Sequence, residues 1–202
     1  MIDTIVFDMG GVIIDFDPKK TLNELFDPET AEAVLNEIFL DDVWRERDRG
    51  TLTSEELLDM KRSVIPDKDY DKVAELISNF FPYMKQFDDI EPLIDKLKQN
   101  GYRLLLLSNA SKDFHENKRL IPALKKLDGL FISSDYRLLK PEKEIYEKFF
   151  EVEGVDPENC FFIDDTSANI YGAESCGMKG HVYKHGHMDA LLEAMRVAGI
   201  NI

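Results

Sequence analysis

Ile2-Asp3-Thr4-Ile5-Val6-Phe7-Asp8-Met9-Gly10-Gly11-Val12 opens on a short apolar run that ends in a carboxylate and breaks at two glycines. A run of this kind, with little polar alternation, is what a strand covered on both faces looks like. Further apolar runs at 102–107, 130–133, 160–163 and 181–183 repeat the pattern. Between them lie segments of helical period at 89–99, 142–153, 167–176 and 188–197. Strands alternating with helices predict an α/β fold, a Rossmann-like parallel sheet with helices on both faces.

One stretch departs from this rhythm. Residues 18–87 contain helix-like segments at 19–26, 29–40, 54–64 and 70–79 and no convincing strand. Thr53 followed by Glu56 has the form of a capping box, and Gly50 and Pro66 mark turns. The expected organisation is therefore a core of residues 1–15 and 88–202 interrupted by a helical cap over 16–87. An insertion placed directly after the first strand sits over the carboxyl ends of the strands, where open α/β sheets bind ligands.

Composition narrows the function. The formal charge of −15 argues against nucleic acid or an anionic membrane as partner, and no apolar stretch has the length of a membrane span. No signal peptide is visible, and the two cysteines, Cys160 and Cys176, make no disulfide framework, so a cytoplasmic location is expected. An acidic protein attracts a phosphorylated substrate only where a cation reverses the local field. Oligomeric state, monomer or homodimer, leaves no trace in the sequence.

Four segments at predicted strand ends carry chemistry. Asp8 with Gly10 and Gly11 offers an anionic nucleophile beside backbone that a ligand can approach closely. Ser108-Asn109 stops a long apolar strand with a hydroxyl and an amide able to donate to a phosphoryl oxygen. Lys140 before Pro141, read as a helix-starting proline, supplies a cation. Asp164-Asp165, with Asn169 following, is an oxygen-only donor set that suits Mg²⁺. Each alone has an ordinary explanation as a helix cap, a turn or a solvated side chain. Their succession at strand ends does not.

These segments together resemble the haloacid dehalogenase (HAD)-like superfamily, in the branch with a small helical cap, with its sugar-phosphate phosphatases as the nearest likeness. The resemblance spans Phe7-Asp8 to Asn169. It implies that Asp8 attacks phosphorus and becomes phosphorylated, while Ser108 and Lys140 bind the transferred phosphoryl group. It implies Mg²⁺ as cofactor, bound by Asp8, Asp165 and the carbonyl of Gly10, with Asp164 and Asn169 at the metal or behind it. The expected substrate is a small phosphorylated metabolite.

The sequence departs from the family at Gly10, where most of its phosphatases carry a second aspartate that protonates the leaving group. Either the substrate needs little protonation, as an anomeric sugar phosphate does, or the chain is a binding or regulatory protein that has lost turnover. Asp15 and Asp17 lie close enough in sequence to substitute, but beside Pro18 they read better as turn residues. In the cap, Arg45, Arg47 and Arg49 are candidates for recognising an anionic substrate, against the alternative of a solvated face countering Glu46 and Asp48. His115 is a further loop candidate, ordinarily just exposed.

Overall fold

The computed structural model describes all residues, 1–202. Five strands, β1 (Thr4–Phe7), β4 (Arg103–Ser108), β5 (Gly129–Ile132), β6 (Cys160–Asp164) and β7 (Lys179–Val182), form one parallel sheet in the order β5-β4-β1-β6-β7. Register is set at the centre, where Phe7 faces Leu106 of β4 on one side and Ile163 of β6 on the other. Alternate strand residues point to opposite faces. Ile5, Phe7, Leu104 and Leu106 join one apolar cluster with Ile90, Leu93, Ile94 and Leu97 of α6 (Ile90–Gln99) and with Leu191 and Met195 of α11 (Met188–Val197). Val6, Leu105 and Leu107 join another with Ile145, Tyr146 and Phe149 of α9 (Lys143–Glu153) and with Ile170 and Ala173 of α10 (Ser167–Ser175). Burial on both faces explains why these strands read as unbroken apolar runs.

Residues between β1 and α6 build a helical layer from α1 (Pro18–Leu25), α2 (Pro28–Val34), α3 (Asp42–Arg49), α4 (Ser54–Met60) and α5 (Tyr70–Ser78). It has its own apolar cluster, including Leu22, Ile38, Leu57, Val73, Ile77 and Phe80. Asp17 and Asp27 cap α1 and α2 ahead of Pro18 and Pro28, and Thr53 and Glu56 form the reciprocal capping box of α4. The long helix expected over 29–40 is divided: α2 ends at Val34 and a π-helical turn, Leu35–Phe39, completes it.

Two details correct the sequence reading. The region expected to hold no strand ends in β3 (Lys85–Gln86), which pairs antiparallel with β2 (Ile14–Asp15) and ties the two ends of the helical layer together. A strand of two residues has no period to detect. Pro141 does not start a helix: the Glu142 N–H closes a turn on the Leu139 carbonyl at 2.9 Å, and α9 begins at Lys143 with Glu142 as its cap. Two short helices, α7 (Phe114–Asn117) and α8 (Ser133–Tyr136), follow β4 and β5 at the carboxyl edge of the sheet.

Candidate active site

The carboxyl ends of β1, β4 and β6 meet beneath the helical layer in a cavity of about 280 Å³. Its floor includes Asp8, Ser108, Lys140, Asp165 and Asn169. Asp8 continues the line of β1, its N–H donating to the Ile163 carbonyl at 2.8 Å, so the central strand itself aims the carboxylate. Gly10 and Gly11 follow in a tight reversal in which the Gly11 N–H bonds the Ile14 carbonyl at 2.9 Å. Gly11 has φ +68°, and a Cβ there would lie 2.3 Å from Asp165 Oδ2. Only glycine lets the Asp165 carboxylate come this close to the first loop.

Lys140 is the hub of the floor. Its ammonium lies 2.8 Å from Asp8 Oδ1 and 2.7 Å from Asp164 Oδ2, and it is almost fully buried. Burial works against the charge, but the two carboxylates overcome it and hold the Lys140 ammonium above its ordinary range. Asn109 fixes the lysine's backbone at both ends: its Oδ1 accepts from the Lys140 N–H at 2.9 Å and its Nδ2 donates to the Lys140 carbonyl at 3.0 Å. The amide that the sequence offered as a phosphate donor is thus engaged in placing the cation.

Asp164 is completely buried and lies behind the cavity wall, not on it. Besides Lys140 it accepts from the Thr166 N–H at 2.8 Å and from Asn169 Nδ2 at 3.0 and 3.1 Å. These bonds shape the loop that presents Asp165. Burial raises Asp8 from its ordinary 3.8 to about 7, opposed by Lys140 and reinforced by Asp164, and burial with Asp164 also raises Asp165. Carboxylate oxygens of Asp8, Asp164 and Asp165 lie within 4.8 Å of one another. Three acids against one ammonium leave the cluster two negative charges in excess when all are ionised, an oxygen-only arrangement that fits a divalent cation such as Mg²⁺.

The roof comes from the helical layer and its connections: Phe16, Trp44, Arg47, Asp48, Phe80 and Phe81. Phe16 packs edge-on to Phe80 with centroids 5.2 Å apart and stacks near Trp44. The three candidate arginines part company here. Arg47 lines the cavity but is committed, giving hydrogen bonds to Ser54 Oγ (2.9 Å), the Ile77 carbonyl (2.9 Å) and Asp113 (2.6 Å), with its guanidinium over Trp44. Arg49 clasps Glu142 through two bonds of 2.8 and 2.6 Å and does not reach the cavity. Arg45 is exposed and also outside it. Asp15 pairs with Lys20, Asp17 caps α1 and His115 pairs with Asp135, so none of these three lines the cavity.

Asp48 is the site residue that the sequence reading passed over. It was legible only as helix geometry: Trp44, Arg47 and Asp48 stand at i, i+3 and i+4 of α3 and therefore share a face. Burial pushes its carboxyl from 3.8 to about 7, opposed by Arg47 and reinforced by Asp113 and Asp8.

A family model of haloacid dehalogenase-like hydrolases matches residues 2–177. The sequence is 24% identical over 178 residues to the sesquiterpene phosphatase astK of Aspergillus oryzae, an alignment covering 87% of this chain and 86% of that protein. It is 25% identical over 193 residues to D-ribitol-5-phosphate phosphatase of Bacteroides thetaiotaomicron, covering 89% and 90%. The fold matches the crystal structure of a HAD family enzyme of Bacteroides thetaiotaomicron in complex with magnesium and inorganic phosphate, with a TM-score of 0.69, 23% identity, and coverage of 93% of this chain and 96% of that one. Sheet order, strand-end chemistry and a family match that runs from Ile2 to Gly177 agree, and the chain belongs to the haloacid dehalogenase-like hydrolase family.

Proposed function

We propose that the protein is a phosphatase that hydrolyses a small phosphomonoester with Mg²⁺, using Asp8 as nucleophile and passing through an aspartyl-phosphate. The observation that carries this reading is the convergence of Asp8, Lys140 and Asp165 on one cavity closed by the helical layer, which serves as a cap. Both relatives named above are phosphatases, and the neighbour was crystallised with magnesium and phosphate. Asp8, Asp165 and the Gly10 carbonyl would hold the metal, which when bound supplies positive charge against the phosphoryl oxygens. The Asp164 carboxylate and the Asn169 side chain steady the loop that carries Asp165.

Asp8 attacks phosphorus in line with the departing oxygen, while the Lys140 ammonium neutralises the equatorial oxygens and Ser108 donates a hydrogen bond to one of them. Water then attacks phosphorus of the acyl phosphate on Asp8, freeing the carboxylate and releasing phosphate. The roof of Phe16, Trp44 and Phe80 suits the apolar faces of a carbon skeleton, a sugar or polyol among them. Because the Arg47 charge is already paired with Asp113 and faces Asp48, with Ser54 and Ile77 taking further N–H groups, the roof offers no uncompensated cation for a second anionic group. Substrates with a single phosphate and an uncharged remainder are therefore expected to turn over best.

The test is phosphate release from a panel of sugar, polyol, nucleoside and cofactor monophosphates, with and without Mg²⁺. Release should require Mg²⁺ and disappear in Asp8→Asn. Gly10 favours a second reading, a protein that binds a phosphorylated ligand without turning it over. Thermal stabilisation by members of the panel without any product would support that reading and overturn the first.

A further inference from the structure

In-line displacement puts the departing oxygen on the far side of phosphorus from Asp8, towards the roof. An ester of an ordinary alcohol needs a proton there, and Gly10 has no side chain to give one. The nearest atom to a Cβ built on Gly10 is Phe16 Cβ, at an ordinary contact distance of 3.6 Å, so no neighbouring polar group takes the place of the missing side chain. Among the cavity's lining residues the only carboxylates are Asp8, Asp48 and Asp165, and there is no His, Glu, Tyr or Cys. Asp8 and Asp165 belong to the floor. We infer that Asp48 of the cap is the general acid, donating its carboxyl proton to the departing ester oxygen in place of the acid missing at position 10. The inference rests on the phosphatase reading and adds a catalytic residue to it.

The position of Asp48 is fixed to the core. Its main-chain carbonyl accepts from Ser133 Oγ at 2.6 Å, and the same hydroxyl accepts from the Ala110 N–H at 2.9 Å, two residues beyond Ser108. Arg49, next in the chain, is clasped by Glu142, and Gly50 packs against Ser134 of α8. Asp48 and Asp8 line the same cavity of about 280 Å³ and are close enough for the Asp8 charge to act on the Asp48 carboxyl, which places a roof acid across the cavity from the nucleophile. The Asp48 side chain is only 17% exposed, and the groups facing it are Arg47 on its own helix, Asp113 and the Ser111 amide before α7, and Asp8 after β1. With burial the largest influence, the carboxyl at about 7 retains its proton at neutral pH in a substantial fraction of molecules.

The step balances. The Asp8 Oδ–P bond forms as the P–O bond to the leaving group breaks, its electron pair stays on the leaving oxygen, and the Asp48 proton completes the alcohol. Asp48 recovers a proton from the water that attacks phosphorus in the second step. A residue in this role matters only where the leaving group is a poor one.

The experiment compares kcat/KM of the Mg²⁺-loaded protein and of Asp48→Asn on an alkyl phosphate and on 4-nitrophenyl phosphate, whose leaving group is stable as an anion. For both, kcat/KM reports the steps through departure of the leaving group. The expected result is a loss on the order of 10² to 10⁴ on the alkyl ester against less than about 10-fold on the nitrophenyl ester. The nitrophenyl rate also shows that the variant is folded, and Asp48→Glu should recover part of the alkyl activity. Equal losses on both esters, or none on either, overturn the inference while leaving the phosphatase reading intact. Absence of phosphate release from either ester by the unaltered protein overturns both.

Discussion

The side chain of Asp165 and the missing side chain of Gly11 occupy the same volume, so a single methyl group is enough to disturb the cluster. Gly11→Ala would set a Cβ 2.3 Å from Asp165 Oδ2 in backbone with φ +68°. The left-handed backbone alone costs about 1–2 kcal/mol for a residue with a side chain, and the carboxylate must move as well. The variant should melt earlier and bind Mg²⁺ at least about 10-fold more weakly, by urea unfolding and by metal titration, a change of about 1.4 kcal/mol in affinity. Unchanged Mg²⁺ affinity would show that Asp165 is not held at the metal by this contact. Lys140→Met tests the other hub: it leaves Asp8 and Asp164 buried without their shared cation, and breaking a buried pair typically costs about 3–5 kcal/mol. Phosphate release should vanish and the melting temperature of the metal-free protein should drop. These residues were legible because a polar group that ends a doubly buried strand stands out against its apolar run. Asp48 was not, because on the sequence it is one more charge in Arg45-Glu46-Arg47-Asp48-Arg49, where salt bridging to neighbours explains it equally well.

Helix α3 connects the helical layer to the sheet and its surrounding helices, and its carboxyl end bears the connection. Arg49 holds Glu142 at the start of α9, Asp48 accepts from Ser133, and Gly50, with φ +78°, would carry a Cβ only 2.6 Å from the Ser134 carbonyl. The pair of Arg49 and Glu142 is partly buried and bidentate, and lies between the near-zero worth of surface pairs and the stronger charge-assisted forks. Arg49→Ala should lower kcat/KM by roughly 10-fold, about 1.4 kcal/mol, and speed hydrogen exchange in α3 and at the start of α9. An unaltered exchange pattern would mean that Ser133 and Gly50 alone hold the helix. The sheet and the helices around it could be read from period and punctuation, since each strand is covered on both faces and each helix has one apolar side. The β2 and β3 pair could not, because Ile14–Asp15 and Lys85–Gln86 are too short for alternation and are joined by pairings of Ile14 with Gln86 and of Asp15 with Lys85, far apart in the chain. The division of 29–40 into α2 and a π-helical turn is likewise a packing outcome, as the apolar spacing runs through both.

At the scale of the molecule, an acidic chain of net charge −15 concentrates further carboxylates in the aromatic-roofed cavity, and does so without a matching number of cations. Asp8 and Asp48 both stand at about 7 against an ordinary 3.8, chiefly through burial. A carboxyl raised in the folded state binds more protons there than in the unfolded chain. Its contribution to stability is complete below about pH 4 and is lost as pH rises through about 7. The metal-free protein should therefore melt at progressively lower temperature from about pH 4 to about pH 7, the window set by those two groups, so that it is less stable at pH 8 than at pH 5. Mg²⁺ should reverse the trend, because a divalent cation among these carboxylates favours their ionised form. At about 100 times its dissociation constant it adds about 2.7 kcal/mol to the folded state, more effectively at pH 8 than at pH 5. Asp8→Asn and Asp48→Asn each remove one of the buried charges, so without metal both variants should gain in stability relative to the natural chain as pH rises, with a larger advantage at pH 8 than at pH 5. Calorimetry of the three proteins at the two pH values, with and without Mg²⁺, checks all of this. A natural chain whose melting temperature is flat from pH 5 to pH 8 in the absence of metal would show that these carboxyls ionise without strain, and that the cavity is wetter than its burial implies.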